Sequence, residues 1–165
     1  MIAVSAFLRF EGVDGESAQK GHEQWIEVLA WDWEIEAESS WAQGGGASVG
    51  KPQPGALTWT HRFDRASIAL MGRLASGQLL SRAELHLARR SEIRSSDTYL
   101  SAVMDGILLT RIATTGAEDG STVQQVSMVF REISIDYRSQ DRAGRLGDPV
   151  RFSWDIPAGV ASPSS

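Results

Sequence analysis

At residues 25–41 the chain reads WIEVLAWDWEIEAESSW. From Leu29 onward, Leu29, Trp31, Trp33, Ile35 and Ala37 share one parity, while Asp32, Glu34, Glu36 and Glu38 share the other. A period of two is that of a β-strand, whose successive side chains point to opposite faces, so the spacing predicts a strand with an apolar face and an acidic face. Ile26 and Val28 stand on the opposite parity, which predicts a first half buried on both sides.

The flanking sequence supplies partners for such a strand. Ile2, Val4, Ala6, Leu8 and Phe10 alternate with Ala3, Ser5, Phe7 and Arg9, a strand pattern without the cationic leader of a signal peptide. VDGES (13–17) places a turn at Asp14-Gly15. LTWTHRF (57–63), AELHLAR (83–89) and VRFSW (150–154) read as further strands. YLSAVMDGILLTRI (99–112) is apolar enough for a long strand or a helix, with a bend at Gly106. In VQQVSMVFREISIDY (123–137) the apolar parity moves from Val126, Met128 and Phe130 to Ile133, Ile135 and Tyr137, which predicts a β-bulge near Arg131-Glu132.

Only between Ser67 and Ala75 does the spacing turn helical, through Leu70, Met71 and Leu74, with Asp64 or Ser67 to cap the start and Gly77 to close the end. Many short strands and one short α-helix predict an all-β barrel or sandwich. The 165 residues divide into one β domain over 1–156 and a Pro/Ser-rich tail over 157–165, expected to be disordered.

With 42% hydrophobic and 22% charged residues and six tryptophans, the composition is that of a globular protein. No apolar run approaches the roughly 18 residues that span a bilayer, so membrane insertion is not expected. The chain has no cysteine, hence no disulfide framework, and is consistent with folding in a reducing cytoplasm. A net charge of -5, with no basic cluster larger than Arg89-Arg90, argues against nucleic acid as a partner.

One local motif points elsewhere. From Gly45 to Lys51 the spacing G-x-x-x-x-G-K is that of a phosphate loop. Its chemistry fails on three counts: the preceding strand is acidic, Pro52 stands where a magnesium-binding hydroxyl is needed, and Pro54-Gly55 prevents a helix from starting. The acidic series Asp32, Glu34, Glu36 and Glu38 steps about 7 Å between members along one strand face, too far for neighbouring carboxylates to share an ion without another strand. His22, His61 and His86 lie far apart with no zinc-ligand spacing, and no G-x-S-x-G elbow occurs. Trp31, Trp33 and Trp59 follow strand parity and are expected in the core. No catalytic, cofactor-binding or metal-binding residue is assigned, and the chain reads as a non-enzymatic β protein.

The order of segments carries more than any one of them. VDGES (13–17), HEQWIEVLAWDW (22–33), the glycine-rich loop ending in Gly50-Lys51, FDRASIALM (63–71), VSMVFREISIDY (126–137) and VRFSWDI (150–156) follow one another as in a known family. The chain resembles the Hcp family, the haemolysin-coregulated proteins that form the inner tube of bacterial type VI secretion systems. It departs from the family pattern at Ser67-Ile68, where Ser-Pro is common, and at Gln125, where glutamate is common.

The resemblance implies an Hcp-like β-barrel with a flanking helix, assembling as a homohexameric ring whose rings stack into a hollow tube. Its expected partners are further copies of itself, the spike and sheath components, and secreted effectors. It is expected in the bacterial cytoplasm when assembled and then outside the cell, without a cleavable signal peptide. The loop from Ala42 to Gly55, with Gln43, Gly44, Gly45, Gly46, Gly50 and Lys51, is the expected ring-stacking contact, since a loop unable to build a core is free to order on docking. Asp32, Glu34, Glu36 and Glu38 are the expected lumen face. Two other readings are a tail-tube protein of a phage or phage-like particle, similar in fold, and a metal-dependent enzyme using the acidic strand.

Overall fold

A chain that alternates in period two over most of its length must close its strands on one another or leave edges unpaired. The structure, a computed structural model, describes residues 4–39, 50–89 and 97–163. Its elements are β1 (Val4–Phe10), β2 (Ile26–Asp32), β3 (Ile35–Glu36), β4 (Gln53–Pro54), β5 (Leu57–Arg62), α1 (Arg65–Ala75), β6 (Leu80–Arg89), β7 (Asp97–Gly116), β8 (Thr122–Val129), β9 (Glu132–Tyr137), β10 (Val150–Asp155) and β11 (Val160–Ser162). Strands β7, β6, β1, β2, β5 and β8 pair in that order and β8 returns to β7, closing a barrel. Strands β9, β10 and β11 extend the same sheet outward from β7, while β3 and β4 form a separate hairpin.

β7 belongs to both parts. Leu100 to Asp105 pair with β9, and Leu108 to Gly116 pair with β8. Gly106 stands between them at φ +66°, the bend expected there, in backbone that a side chain rarely adopts. The parity shift near Arg131-Glu132 is a break between β8 and β9 rather than a bulge inside one strand. It lets one apolar run line the barrel and the next cover the extension. Leu8, Phe10, Ile26, Leu57, Trp59, Leu85, Met104, Ile107 and Met128 fill the core.

β2 departs from the sequence reading. Its pairing with β5 slips by one residue between Val28, opposite His61, and Ala30, opposite Thr60. Leu29 is the extra residue of this bulge, and it reverses the phase: Ile26 and Val28 face inward before it, and Trp31 stands beside Trp59 after it. The first half is therefore buried on one face only, with Glu27 exposed. Nor is the apolar parity beyond it core, for Leu29, Trp31 and Ile35 are 47%, 37% and 48% exposed. Of that series Trp33 packs on the core, its ring 5.8 Å from Phe130.

The tail reading changes as well. Where disorder is expected from residue 157, β11 pairs with β10 through Ser153 opposite Ser162 and Asp155 opposite Val160. Residues 164–165 lie outside the described residues.

α1 starts two residues before the expected Ser67, and the two candidate caps act together. The Asp64 carboxylate accepts from the Ser67 backbone N–H at 3.1 Å, and Ser67 Oγ accepts from the Asp64 N–H at 3.0 Å. Ala66, Ser67 and Leu70 turn toward the core, and Gly77 at φ +66° follows the helix end. Asp64→Ala is expected to lower unfolding free energy by about 1 kcal/mol in urea titrations, and Asp64→Asn to retain most of it. Equal losses for both would show that the helix does not depend on the cap.

Candidate functional site

The hairpin β3–β4 is the feature that the barrel does not need. It begins where β2 leaves the wall. Ile35 pairs with Pro54 and Glu36 with Gln53. The Gly50 N–H donates to the Glu38 carbonyl at 2.6 Å, and the Gly55 N–H to the Glu34 carbonyl at 2.8 Å. Trp33 ties the base down by donating from Nε1 to the Gly55 carbonyl at 3.1 Å. A Cβ on Gly55 would stand 2.8 Å from Glu34 Cγ, so glycine permits this close crossing. Pro52 and Pro54 cost the hairpin little, because among the described residues β4 pairs only with β3, and proline lacks the N–H that a second neighbour would need.

Of the expected site residues, the described ones lie on this hairpin or at the strand end that leads into it. Asp32, Glu34, Glu36 and Glu38 are all exposed, the first at the end of β2 and the others on the outgoing arm. Glu36 and Glu38 border a polar recess with Gly50, Lys51 and Gln53, so the structure brings the one lysine of the loop beside two of the acids. Gly50 and Lys51 are exposed. Gln43, Gly44, Gly45 and Gly46 lie outside the described residues.

On its other side the hairpin faces the extension. A shallow apolar groove of about 260 Å³ runs between Ile35 and Pro52 on one side and Phe152, Trp154 and Ala161 on the other, with Lys51 at its border. Sequence reasoning missed it, because the groove needs β11 where a disordered tail is expected.

The histidines also part from their spacing. His61 is fully buried in the barrel, its Nε2 3.2 Å from Gln124 Oε1 and its Nδ1 3.7 Å from Asp64 Oδ1. Burial pushes the His61 imidazole down and the Asp64 carboxyl up. His22 and His86, 64 residues apart, meet on the outer wall with His22 Nε2 3.0 Å from His86 Nδ1. The only sequence signal for that meeting was the alternation of β6, which sends His86 to the face opposite Leu85 and Leu87. Among the described residues, no group of three or more histidine, aspartate or glutamate side chains is placed to hold a metal ion. Nor is any described helix long and apolar enough to cross a membrane.

The architecture has close counterparts. A family model described as "Type VI secretion system effector, Hcp" matches residues 7–137, a span from β1 to β9 that takes in the barrel, α1 and the hairpin. The chain is 32% identical to the protein hcp1 of Pseudomonas aeruginosa over 162 residues, covering 96% of this chain and 99% of that one. It is similar to a solved structure of a type six secretion system protein, with a TM-score of 0.89 and 23% identity over 97% of this chain and 100% of the other. It is similar also to Hcp1 from Salmonella typhimurium, with a TM-score of 0.78 and 28% identity over 94% of this chain and 97% of the other.

Proposed function

The chain belongs to the Hcp family of type VI secretion proteins, and from that premise we propose that it is a structural subunit of the secretion tube, assembling as homohexameric rings that stack into a hollow conduit for effectors. The observation that carries the reading is that the family match spans the barrel together with the hairpin, an element the barrel core does not use. A ring of identical subunits needs two different complementary surfaces on each copy. β11, at the border of the nine-stranded sheet, pairs with β10 alone among the described residues and so offers an edge of the kind that proteins cover by association.

Within this reading the hairpin and the loop it carries, from Ala42 to Gly55, reach the next ring. Gln43, Gly44, Gly45, Gly46, Gly50 and Lys51 supply that contact. Asp32, Glu34, Glu36 and Glu38 face the lumen, where a row of carboxylates holds basic cargo weakly and in a salt-dependent way. The role requires no catalytic group. Its partners are copies of itself, the spike and sheath of the secretion apparatus, and effectors; it assembles in the bacterial cytoplasm and is then secreted.

Native mass spectrometry and electron microscopy of the purified protein test this directly. A six-subunit ring with an open centre is expected, and a strict monomer overturns the reading. Deleting residues 44–50 is expected to leave the barrel folded and to abolish end-to-end stacking of rings, whereas unchanged tubes would assign the axial contact elsewhere.

A further inference from the structure

Away from the hairpin, the outer wall of the barrel carries a second apolar cluster of Phe7, Trp25 and Ala88. The chain between β1 and β2 folds on itself there: the Gly15 N–H donates to the Gln24 carbonyl at 2.7 Å, the Gln24 N–H to the Ser17 carbonyl at 2.8 Å and the Ser17 N–H to the Trp25 carbonyl at 3.0 Å. Its side chains bind it to β1 and β6. His22, only 3% exposed, stacks on Phe7 with ring centroids 4.4 Å apart, and Trp25 lies 4.5 Å from His86. His22 Nε2 and His86 Nδ1 stand 3.0 Å apart.

Hydrogen bookkeeping fixes how these two rings share a proton. His22 Nδ1 is buried with no hydrogen-bond partner among the described residues, so a proton placed there would be an unsatisfied buried donor. The tautomer that avoids this carries its proton on Nε2 and donates it to His86 Nδ1. His86 then presents Nε2–H toward Glu84 Oε2 at 3.5 Å, and Glu84 Oε1 accepts from Arg9 Nη2 at 3.0 Å. Arg9 lies over the Trp25 ring at 5.1 Å, which returns the network to the segment it holds.

A second proton has no good place in this arrangement. On His86 Nδ1 it sets two N–H groups head to head across 3.0 Å; on His22 Nδ1 it creates a buried charge and an orphaned donor. The surrounding charges divide. Glu84 on β6 favours protonation of His86 and Arg9 on β1 opposes it, while Glu23 favours protonation of His22. Glu27 on β2 stands opposite Phe7, and β7 places uncharged Ser101 opposite His86. Burial outweighs the carboxylates and pushes both imidazoles below their usual range.

We propose that His22 and His86 form an acid-sensitive latch, which holds residues 14–25 on the outer wall at neutral pH and releases them on acidification while the barrel stays closed. Above about pH 6.5 both rings are neutral whether the segment is held or free, and the hold is full. Below it the released form takes up protons that the held form excludes, so the hold weakens as pH falls and the loss is complete once the held rings also titrate. The latch is a property of one subunit and does not depend on ring assembly.

Hydrogen exchange read by mass spectrometry, corrected for intrinsic exchange, tests it. Between about pH 7.5 and pH 5, protection of the amides from Gly15 to Trp25 is expected to fall about tenfold or more, with β6 and β7 unchanged. The double variant His22→Gln, His86→Asn keeps a donor and an acceptor near the same positions without a titrating ring, and its protection is expected to be independent of pH. An equal loss in the variant, or no loss in the wild type, overturns the latch. Should the variant fail to fold, the ring-proton titrations of the wild type decide: both histidines are expected to titrate below about 6.5, and either one at or above that value overturns the proposal.

Discussion

Trp59→Ala is expected to lower the unfolding free energy by about 3–5 kcal/mol, a large share of the roughly 5–15 kcal/mol that holds an ordinary domain together. Trp59 is 1% exposed on β5, opposite Trp31 on β2 and Val126 on β8, so its ring spans the middle of the closed wall. Phe10 from β1 meets it at 5.6 Å between centroids. Alanine leaves a void that three strands cannot fill without breaking the register that closes the barrel. Trp59→Phe keeps an aromatic ring, and because Trp59 Nε1 has no hydrogen-bond partner among the described residues, it gives up no protein hydrogen bond. Its expected cost is about 1–2 kcal/mol. Urea midpoints of both variants, taken at one protein concentration because assembly adds to apparent stability, separate the cases. Equal shifts for Ala and Phe would show that the ring volume is not what the barrel rests on.

Strands such as β5 and β6 were legible because each carries its own period, whereas β7, apolar on both parities over 99–112, left strand and helix open until its pairing with β6, β8 and β9 settled it as a strand. Leu57, Trp59 and His61 alternate inward as their spacing requires, and so do Ala83, Leu85 and Leu87. What a period cannot reveal is a change of phase that a partner strand imposes. At Leu29 the bulge arises from the register with β5, and nothing local distinguishes WIEVLAWDW with a bulge from the same letters without one. Asp32, Glu34, Glu36 and Glu38 are all exposed, but so are Trp31 and Ile35, because beyond Asp32 the chain leaves the barrel for a hairpin, and of the apolar series Trp33 packs on the core.

Long-range pairing hid the rest of the candidate site. β11 is three residues of weak signal, Val160 to Ser162, and becomes a strand because β10 offers an open edge. His22 and His86 approach each other because Phe7, between their elements, gives His22 a surface to stack on. Neither follows from composition or spacing. The order of family segments carried the family and the barrel, since it compares whole chains, but it disclosed neither β11 nor the meeting of His22 and His86.

Gly106→Val is expected to lower the unfolding free energy by about 2–4 kcal/mol, through backbone strain rather than lost burial. Gly106 lies at φ +66° where β7 passes from its β9 partner to its β8 partner, and a β-branched side chain is least able to adopt that conformation. Space is short as well: a Cβ there stands 3.1 Å from Arg131 Cγ and Cδ and 3.2 Å from Arg131 Cβ. Arg131 cannot simply withdraw, because its N–H donates to the Asp105 carbonyl at 3.0 Å and its carbonyl accepts from the Ile156 N–H at 2.9 Å. Strain at Gly106 therefore reaches the β8–β9 break and the end of β10 together. Gly106→Ala is expected to cost about 1–2 kcal/mol for the left-handed backbone. The comparison that isolates the cause is Gly72→Ala. Gly72 sits exposed inside α1 with nothing within 4 Å of a Cβ, so there alanine is expected to stabilise by about 0.5–1 kcal/mol. Opposite shifts of the urea midpoint for the two glycine-to-alanine changes are the expected result. If both move the same way, Gly106 is not the bend on which the closure of the barrel depends.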